Sequence, residues 1–259
     1  MLLPIGDDNR DRRITPIVNY LLIVLNIFVF IYWQQFGNNV PFTFAYATVP
    51  GEILTGTDLI TYSKILTDPY TGQSFEMPGL QRTPVPVFLT LFTSIFMHAG
   101  LAHLLGNMMF LGIFGDNLEN VMGHLKYLVF YLLCGVLSGL GHVMSTLILG
   151  QNMLIPSLGA SGAISGVLGG YMLLFPTRGV HVWILLFIVT FPAFLVVGLW
   201  FVFQVLNGLG TLGGEEAGGV AYAAHIGGFI FGLILVKRFV RPVRLPRNRR
   251  SSWGSYRDY

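Results

Sequence analysis

The stretch LKYLVFYLLCGVLSGLGHVMSTLIL, at residues 125–149, decides the fold class because it is apolar almost throughout, with Lys126 as its one charged residue. It exceeds the roughly 20 residues that one helix needs to cross the core of a bilayer. Similar blocks recur along the chain, which is 53% apolar and 10% charged, against about 25% charged in an average soluble domain. Such a chain cannot cover itself with polar side chains. The composition therefore predicts an all-α, polytopic membrane protein in contact with the lipid bilayer.

The apolar blocks and the polar segments between them predict six membrane spans. The predicted spans are residues 17–33, 101–117, 125–149, 161–175, 180–205 and 220–240. The first is expected to be a retained span rather than a signal peptide, since no small-residue cleavage site follows it. Residues 87–99 are expected to form a loop or interfacial structure. The polar segment at residues 34–86 lacks the basic excess of an inner loop, so it is expected to be a long outer loop. A lid, a membrane-surface element and a substrate contact all remain open for it.

The charged residues predict the orientation of the chain. Three arginines precede the first span, and the end of the sequence has one acid, Asp258, among eight basic residues: Lys237, Arg238, Arg241, Arg244, Arg247, Arg249, Arg250 and Arg257. Because basic residues beside spans mark the inner side, both termini are expected to be cytoplasmic in a cell membrane, and nucleic-acid binding is not expected. The predicted parts are a cytoplasmic N-terminus at 1–16, a membrane domain at 17–240 and a basic cytoplasmic tail at 241–259.

Five polar side chains lie in or beside predicted spans, where polar groups are costly and therefore functional candidates. These are His98, His103, Asn107, Ser161 and His225. His103 and Asn107 are four residues apart and share one face of a helix. Hydrogen bonds that hold helices together are the alternative role for this pair.

Small residues predict that the fourth and sixth spans pack closely. On the fourth span, Ser161, Ser165 and Gly169 follow each other at four-residue spacing, with Gly162, Gly166 and Gly170 on the adjoining row. On the sixth span, His225, Gly228 and Gly232 lie along one face. Each span follows an outer loop, so Ser161 and His225 should lie at similar shallow depths. Packing of this kind also occurs without any catalytic role. A serine and a histidine at matched depth nevertheless predict a nucleophile and its base.

The chemistry follows from these residue types. A serine hydroxyl becomes a good nucleophile when an imidazole accepts its proton, and His103, Asn107 and the backbone N–H of Ser161 could stabilise an oxyanion. Asp116 and Glu119 lie roughly 20 Å below His103 along the second span. They are therefore expected to bind loop backbone or basic residues. The sequence thus predicts a Ser161–His225 dyad without an acid, a metal ion or a cofactor.

Three motifs in this order resemble those of the rhomboid intramembrane serine proteases. They are H-x4-H-x3-N from His98 to Asn107, G-x-S-G from Gly159 to Gly162, and AH-x2-G-x3-G from Ala224 to Gly232, and residues 115–119, GDNLE, are also similar to a segment of the family. The resemblance implies a six-helix rhomboid protease domain. It also implies substrates that are single-span membrane proteins, cut near the outer membrane face.

Carried onto these positions, the resemblance implies that Ser161 is the nucleophile, that His225 is base and then acid, and that His103 and Asn107 stabilise the oxyanion. It gives supporting roles to His98, Gly159 and Gly162. The chain departs from the family at Ser165, where some members place a tyrosine against the histidine. Tyr222 and Tyr171 are candidates for orienting His225 instead.

Two other functions remain as alternatives. The first is a catalytically silent rhomboid-like protein that binds membrane clients, although such relatives usually lack the serine or the histidine. The second is a small transporter, because buried histidines among six spans also suit a solute pathway. The sequence makes no prediction about the oligomeric state or the natural substrate.

Overall fold

The structure is a computed structural model that describes residues 2–67, 74–212 and 221–240. The predicted basic tail at 241–259 lies outside the described residues, as do residues 213–220. The described helices are α1 (Ile17–Phe28, continued by a π-helix at Val29–Trp33), α2 (Val40–Tyr46), α3 (Pro50–Thr55), α4 (Thr90–Thr93), α5 (Leu101–Met122), α6 (His124–Ile148), α7 (Ser161–Leu174), α8 (Ala193–Leu212) and α9 (Tyr222–Phe239). The described strands are β1 (Leu2–Asp7), β2 (Lys64–Thr67), β3 (Ser74–Met77), β4 (Gly179–Ile184) and β5 (Phe187–Pro192).

Three of the described helices are long and apolar enough to span a membrane by themselves. They are α6, α9 and the Ala193–Gly210 part of α8. A fourth candidate combines α5 with Val87–Phe96, the two parts being bent by 80°. Helix α7 has 14 residues, which rise roughly 21 Å against a hydrocarbon core of about 30 Å. The protein is therefore a mostly helical membrane protein with three to four candidate spans. By helix length and composition, the predicted count of six spans is not confirmed.

The helices pack so that α7 lies at the centre. From its start to its end, α7 meets Ser138, then Cys134, then Phe130 of α6, so α6 runs against it. Helix α9 runs in the same direction as α7, since α7 meets Gly228 before Gly232. Helix α5 also runs in this direction, because His103 lies near the start of α7 and Leu118 lies against Gly170. We call the end of the bundle with Ser161 and Tyr222 the upper end, and the end with Met122 the lower end. Buried aromatic and aliphatic side chains from α5, α6, α7 and α9 fill the space between them.

The fifth predicted span, at residues 180–205, is wrong in its first half. Residues 179–192 form an antiparallel hairpin of β4 and β5, and the helix begins at Ala193. This stretch is rich in β-branched and aromatic residues, which favour strands, and Pro192 cannot lie inside a helix without loss of a hydrogen bond. The other predicted spans coincide with helices α1, α5, α6, α7 and α9.

Strand β1 pairs with β4 and extends the hairpin to a three-stranded sheet of order β1-β4-β5. Leu2 pairs with Ile184 and Asp7 with Val180, with an irregularity between Pro4 and Gly6. The side chains of Val180 and Val182 are buried against the lower end of the bundle. Strand β1 lies within residues 1–16, for which the sequence predicted a cytoplasmic location but no secondary structure. The predicted all-α fold included neither this sheet nor the small sheet of β2 and β3.

A network of polar groups holds the lower end together. The Glu119 carboxylate accepts hydrogen bonds from the backbone N–H groups of Val18 and Asn19, at 3.0 and 2.8 Å, and contacts His124 at 2.5 Å. Asp116 pairs with Arg12 at 2.8 Å. The prediction that these two acids bind loop backbone or basic residues is therefore confirmed for Asp116, whereas Glu119 binds backbone at the start of helix α1 and not in a loop.

Candidate active site

Ser161 and His225 are in direct contact at the upper end of the bundle. Ser161 is the first residue of α7, and His225 lies in the first turn of α9. The Oγ atom of Ser161 is 2.7 Å from Nε2 of His225, a hydrogen-bonding distance. The sequence prediction that these two side chains meet is confirmed in its geometry.

Glycines explain how α7 and α9 come close enough for this contact. A Cβ atom on Gly228 would clash with the carbonyl oxygen of Gly162, and one on Gly232 would clash with that of Gly166. The two backbones therefore pack directly against each other, as small residues allow. On its other side, Gly162 lies against the Ser138 side chain, which donates a hydrogen bond to the Ala224 carbonyl at 2.7 Å. The predicted small-residue faces are the faces in contact.

The second nitrogen of His225 is held by a residue that sequence reasoning missed. Gln204 on α8 is buried, and its Oε1 lies 2.8 Å from Nδ1 of His225. Because an amide oxygen only accepts, the Nδ1 atom carries the hydrogen, and Nε2 is left to accept the proton of Ser161. Gln204 is itself a polar residue in an apolar stretch, so the rule that singled out the histidines would also have found it.

The predicted aromatic partners of His225 are only partly present. The Tyr222 ring lies edge-on to the imidazole, at 6.4 Å between centroids, and Trp200, which was not predicted, lies at 6.2 Å with a tilt of 33°. Tyr171 was a wrong candidate. Its hydroxyl donates to Asp7 at 2.5 Å near the lower end, far along α7 from the dyad.

His103 lies on the other side of Ser161. A Cβ atom on Gly159 would be 2.9 Å from His103 Nε2 and 3.5 Å from Ser161 Oγ, and the φ angle of Gly159 is +128°, which favours glycine. The backbone N–H of Ala99 points to Nδ1 of His103 at 3.4 Å. This contact favours the tautomer with hydrogen on Nε2, which leaves that N–H facing the dyad.

Asn107 lies one turn further along α5 and is buried. Within the described residues its Nδ2 atom has no hydrogen-bond partner. Since an unpaired buried amide is costly, the group is available to a ligand or to water. Both side chains predicted to stabilise an oxyanion therefore line the same cavity as Ser161, although their role stays a prediction.

His98 supports this arrangement from behind. Its ring is fully buried and lies edge-on to His103, with centroids 5.2 Å apart. The side-chain amide of Gln34 accepts from the His98 backbone N–H at 2.9 Å and donates to its carbonyl at 2.8 Å. The segment after the first helix is thus tied to the wall of the site.

The dyad opens into a cavity of about 1190 Å³ between the helices. This volume exceeds the roughly 300–1,000 Å³ of typical small-molecule pockets. Residues of helices α2, α5, α6, α7, α8 and α9 line it, including Ser161, His225, His103, Asn107 and Gln204. His142 and Ser145 of α6 also line the cavity, and within the described part of the chain His142 Nδ1 and Ser145 Oγ have no hydrogen-bond partner. Such atoms are suited to holding water.

The arrangement has the parts that acyl transfer requires. A serine hydroxyl is hydrogen-bonded to an imidazole, the imidazole is oriented by a third group, and N–H donors lie beside the nucleophile. The third group is a neutral amide rather than a carboxylate, in agreement with the predicted dyad. The acids Asp116 and Glu119 are on the lower half of α5 and bind other groups.

Comparison with known proteins gives a consistent result. The family model described as the Rhomboid domain matches residues 86–242. The chain is 31% identical to Rhomboid protein 1, mitochondrial, of Saccharomyces cerevisiae over 172 residues, which are 66% of this chain and 47% of that protein. It is 28% identical over 176 residues to the human Presenilin-associated rhomboid-like protein, mitochondrial, covering 61% and 42%. Similarity to RHOMBOID-like protein 4 of Arabidopsis thaliana is 34% identity over 139 residues, covering 54% and 31%. The chain thus spans less than half the length of these relatives.

Proposed function

The chain belongs to the rhomboid family, and on that premise we propose that it is an intramembrane serine endopeptidase. The observation that carries the proposal is the 2.7 Å contact between Ser161 Oγ and His225 Nε2, with Gln204 at the other nitrogen of the ring. The proposed substrates are single-span membrane proteins, cut near the outer membrane face. No cofactor takes part in this chemistry.

The proposed reaction begins when His225 Nε2 accepts the Ser161 proton while Oγ bonds to the carbonyl carbon of the scissile peptide. The carbonyl oxygen becomes an oxyanion beside the His103 N–H, the Asn107 amide and the backbone N–H of Ser161. His225 then donates its proton to the leaving nitrogen, and the C–N bond breaks to give an acyl-enzyme. Water, deprotonated by His225, then attacks the ester carbonyl, the bond to Ser161 Oγ breaks, and His225 returns the proton to Oγ as the second product leaves.

The proposed orientation places the upper end at the outer side of a cell membrane. The basic residues that precede α1 lie at the lower end, as do Lys237 and Arg238 in the last turn of α9, and such residues favour the cytoplasmic side. Residues 17–240 would then form a six-span protease domain, with 1–16 and 241–259 cytoplasmic. Labelling of a cysteine at Arg10 by an impermeant maleimide, from one side of sealed membranes, tests this orientation.

The decisive test uses the full chain in liposomes with a panel of single-span substrates. The wild type is expected to produce two fragments, whose new ends mass spectrometry locates, and Ser161→Ala is expected to produce none. Cleavage that persists in Ser161→Ala would exclude the proposed nucleophile. A wild type that binds these spans without cutting them would favour the client-binding alternative.

A second test does not depend on finding a substrate. A fluorophosphonate probe reacts with activated serines, so it should label the wild type, but not Ser161→Ala, and should label His225→Ala far more slowly. Equal labelling of the wild type and His225→Ala would contradict a dyad. A transporter, the remaining alternative, would show no such labelling at all.

A further inference from the structure

The hairpin of β4 and β5 ends in a tip that is apolar and exposed. We define the hairpin tip as residues 183–189, WILLFIV. The exposed fractions of the four central side chains are 77% for Leu185, 88% for Leu186, 71% for Phe187 and 65% for Ile188. The base of the hairpin is polar, since His181 and Thr190 are 2.8 Å apart across the strands and Arg178 binds Asp11 and Asn117.

The turn of the hairpin is unusual for contact with water. Leu185 and Leu186 form the two-residue connection between the strands, and Leu185 has a φ angle of +52°. Two-residue hairpin turns favour Asn, Asp and Gly, which tolerate positive φ and are well solvated. Turn geometry therefore does not account for two leucines at the most exposed point of the hairpin, whereas apolar surroundings would.

The tip continues into the exposed apolar surface of a candidate membrane span. Strand β5 ends at Pro192 and α8, a candidate span, begins at Ala193. On α8, Phe194 and Leu199 are 53% and 55% exposed. Residues 179–212 contain no Asp, Glu, Lys or Arg. From Phe194 of the helix to the tip at Val189, the exposed surface is thus uncharged, and Thr190 is the one polar side chain on it.

We propose that the hairpin tip inserts into the headgroup and upper acyl region of the leaflet at the lower end of the bundle. Trp183, which is 50% exposed, is a residue type that favours this interface. The tip cannot lie deeper, because within the described residues β5 pairs on one side only, and unpaired backbone groups are not tolerated in hydrocarbon. A second copy paired along β5 would cover this edge but would leave both faces of the tip exposed. Lipid covers both faces.

The experiment measures the depth of the tip in the full chain. Cys134 is the one cysteine, so Cys134→Ala together with Leu186→Cys gives a single site for a nitroxide label. In liposomes of phosphatidylcholine and phosphatidylglycerol, collisions of the label with oxygen, which is enriched in lipid, are compared with collisions with a water-soluble nickel chelate. Leu199→Cys on α8 is the lipid reference, and Arg10→Cys, whose side chain is 90% exposed, is the aqueous reference.

The label at Leu186 is expected to collide more with oxygen than with nickel, as the label at Leu199 does. A label as accessible to nickel as the one at Arg10 would overturn the proposal. A label shielded from both reagents would also overturn it, and spectral broadening that disappears on dilution with unlabelled protein would then identify a second copy as the cover. Phe187→Cys repeats the measurement if Leu186→Cys fails to fold. No readout here involves proteolysis, so the result is independent of the proposed activity.

Discussion

Gln204 Oε1 lies 2.8 Å from His225 Nδ1, on the opposite side of the ring from Ser161 Oγ. Because α8 carries Gln204 and α9 carries His225, the position of α8 determines how the imidazole faces the serine. A neutral amide can fix the tautomer and the ring angle, but it cannot offset a positive charge on the imidazole as a carboxylate would. The dyad therefore depends on the placement of one helix.

Gln204→Leu is expected to lower kcat roughly tenfold, the equivalent of one hydrogen bond of about 1–1.5 kcal/mol. The reason is that the ring loses its orienting acceptor while its size and surroundings remain. KM should stay unchanged, because Gln204 acts through His225 and not on the substrate. Liposome cleavage assays at several substrate densities separate kcat from KM.

Two variants serve as controls for that measurement. Gln204→Glu keeps an acceptor in place and should retain more activity than the leucine variant. Asn207→Leu, on the same helix, removes a side chain that donates to the Phe203 carbonyl and should leave kcat unchanged. An equal loss of kcat in Gln204→Leu, Gln204→Glu and Asn207→Leu would mean that this part of α8 is sensitive to any substitution. It would not support an orienting role for Gln204.

Gly232→Ala is expected to destabilise the protein by about 1–3 kcal/mol, the usual cost of overpacking. Its new methyl carbon would lie 2.7 Å from the Gly166 Cα atom, and backbone cannot move aside as a side chain can. Gly227→Ala on the same helix is the matched control, since among the described residues no atom beyond its own turn of helix lies within 4 Å of the added carbon. Thermal unfolding in detergent measures both, and equal Tm values would argue against the close approach of α7 and α9.

Glu119→Gln is expected to cost about 1–3 kcal/mol of stability. The carboxylate is fully buried and accepts from two backbone N–H groups at the start of α1, whereas an amide would place an NH₂ group against one of them. Asp8→Asn at the same end is the control, because its ion pair with Arg10 is exposed and such pairs contribute little. Chemical unfolding measures the difference in the free energy of unfolding. An unchanged value in Glu119→Gln would show that water molecules replace the lost hydrogen bonds.

Asp7→Asn is expected to change how stability depends on pH. Burial raises the pKa of Asp7 above its ordinary value of 3.8, outweighing the hydrogen bond from Tyr171 and the charge of Arg178. The folded protein therefore holds this proton more tightly than the unfolded chain, and the contribution of Asp7 falls as pH rises from 3.8 through the folded pKa. Asp7→Asn has no titrating group at this position, so its stability does not fall with pH for this reason.

The measurement for Asp7→Asn is the difference in Tm between variant and wild type across that pH range. The difference should move in favour of the variant as pH rises, and the titration of carboxyls that do not interact with Asp7 cancels because both proteins share it. A difference that is constant with pH would mean that Asp7 has an ordinary pKa in the folded state.

The sequence predicted the upper end of the molecule better than the lower end. The dyad follows from local spacing, because glycines at three- and four-residue intervals define the faces on which Ser161 and His225 lie. Gln204 was missed although it obeys the same rule, since one glutamine in a continuous apolar run attracts little notice. The tie between Gln34 and His98 joins residues distant in sequence and has no local signal.

The hairpin was missed for a different reason. An apolar run from 180 to 205 satisfies the length test for a span, and composition alone does not separate a strand pair from a helix. What decides between them is pairing with β1, a contact that joins the first residues of the chain to residues near 180. The spacing of apolar residues within β1 or within residues 180–205 does not indicate that the two segments pair.

That pairing has a consequence for how the protein is made. When strand β1 emerges from the ribosome its partner β4 does not yet exist, and roughly 180 residues take about 9–36 s to synthesise at typical rates. Helices α1, α5, α6 and α7 are all made during this interval, while β1 waits unpaired. The lower end therefore closes late, and the contacts of Arg178 with Asp11 and of Tyr171 with Asp7 form only in chains whose synthesis has passed the middle of the bundle.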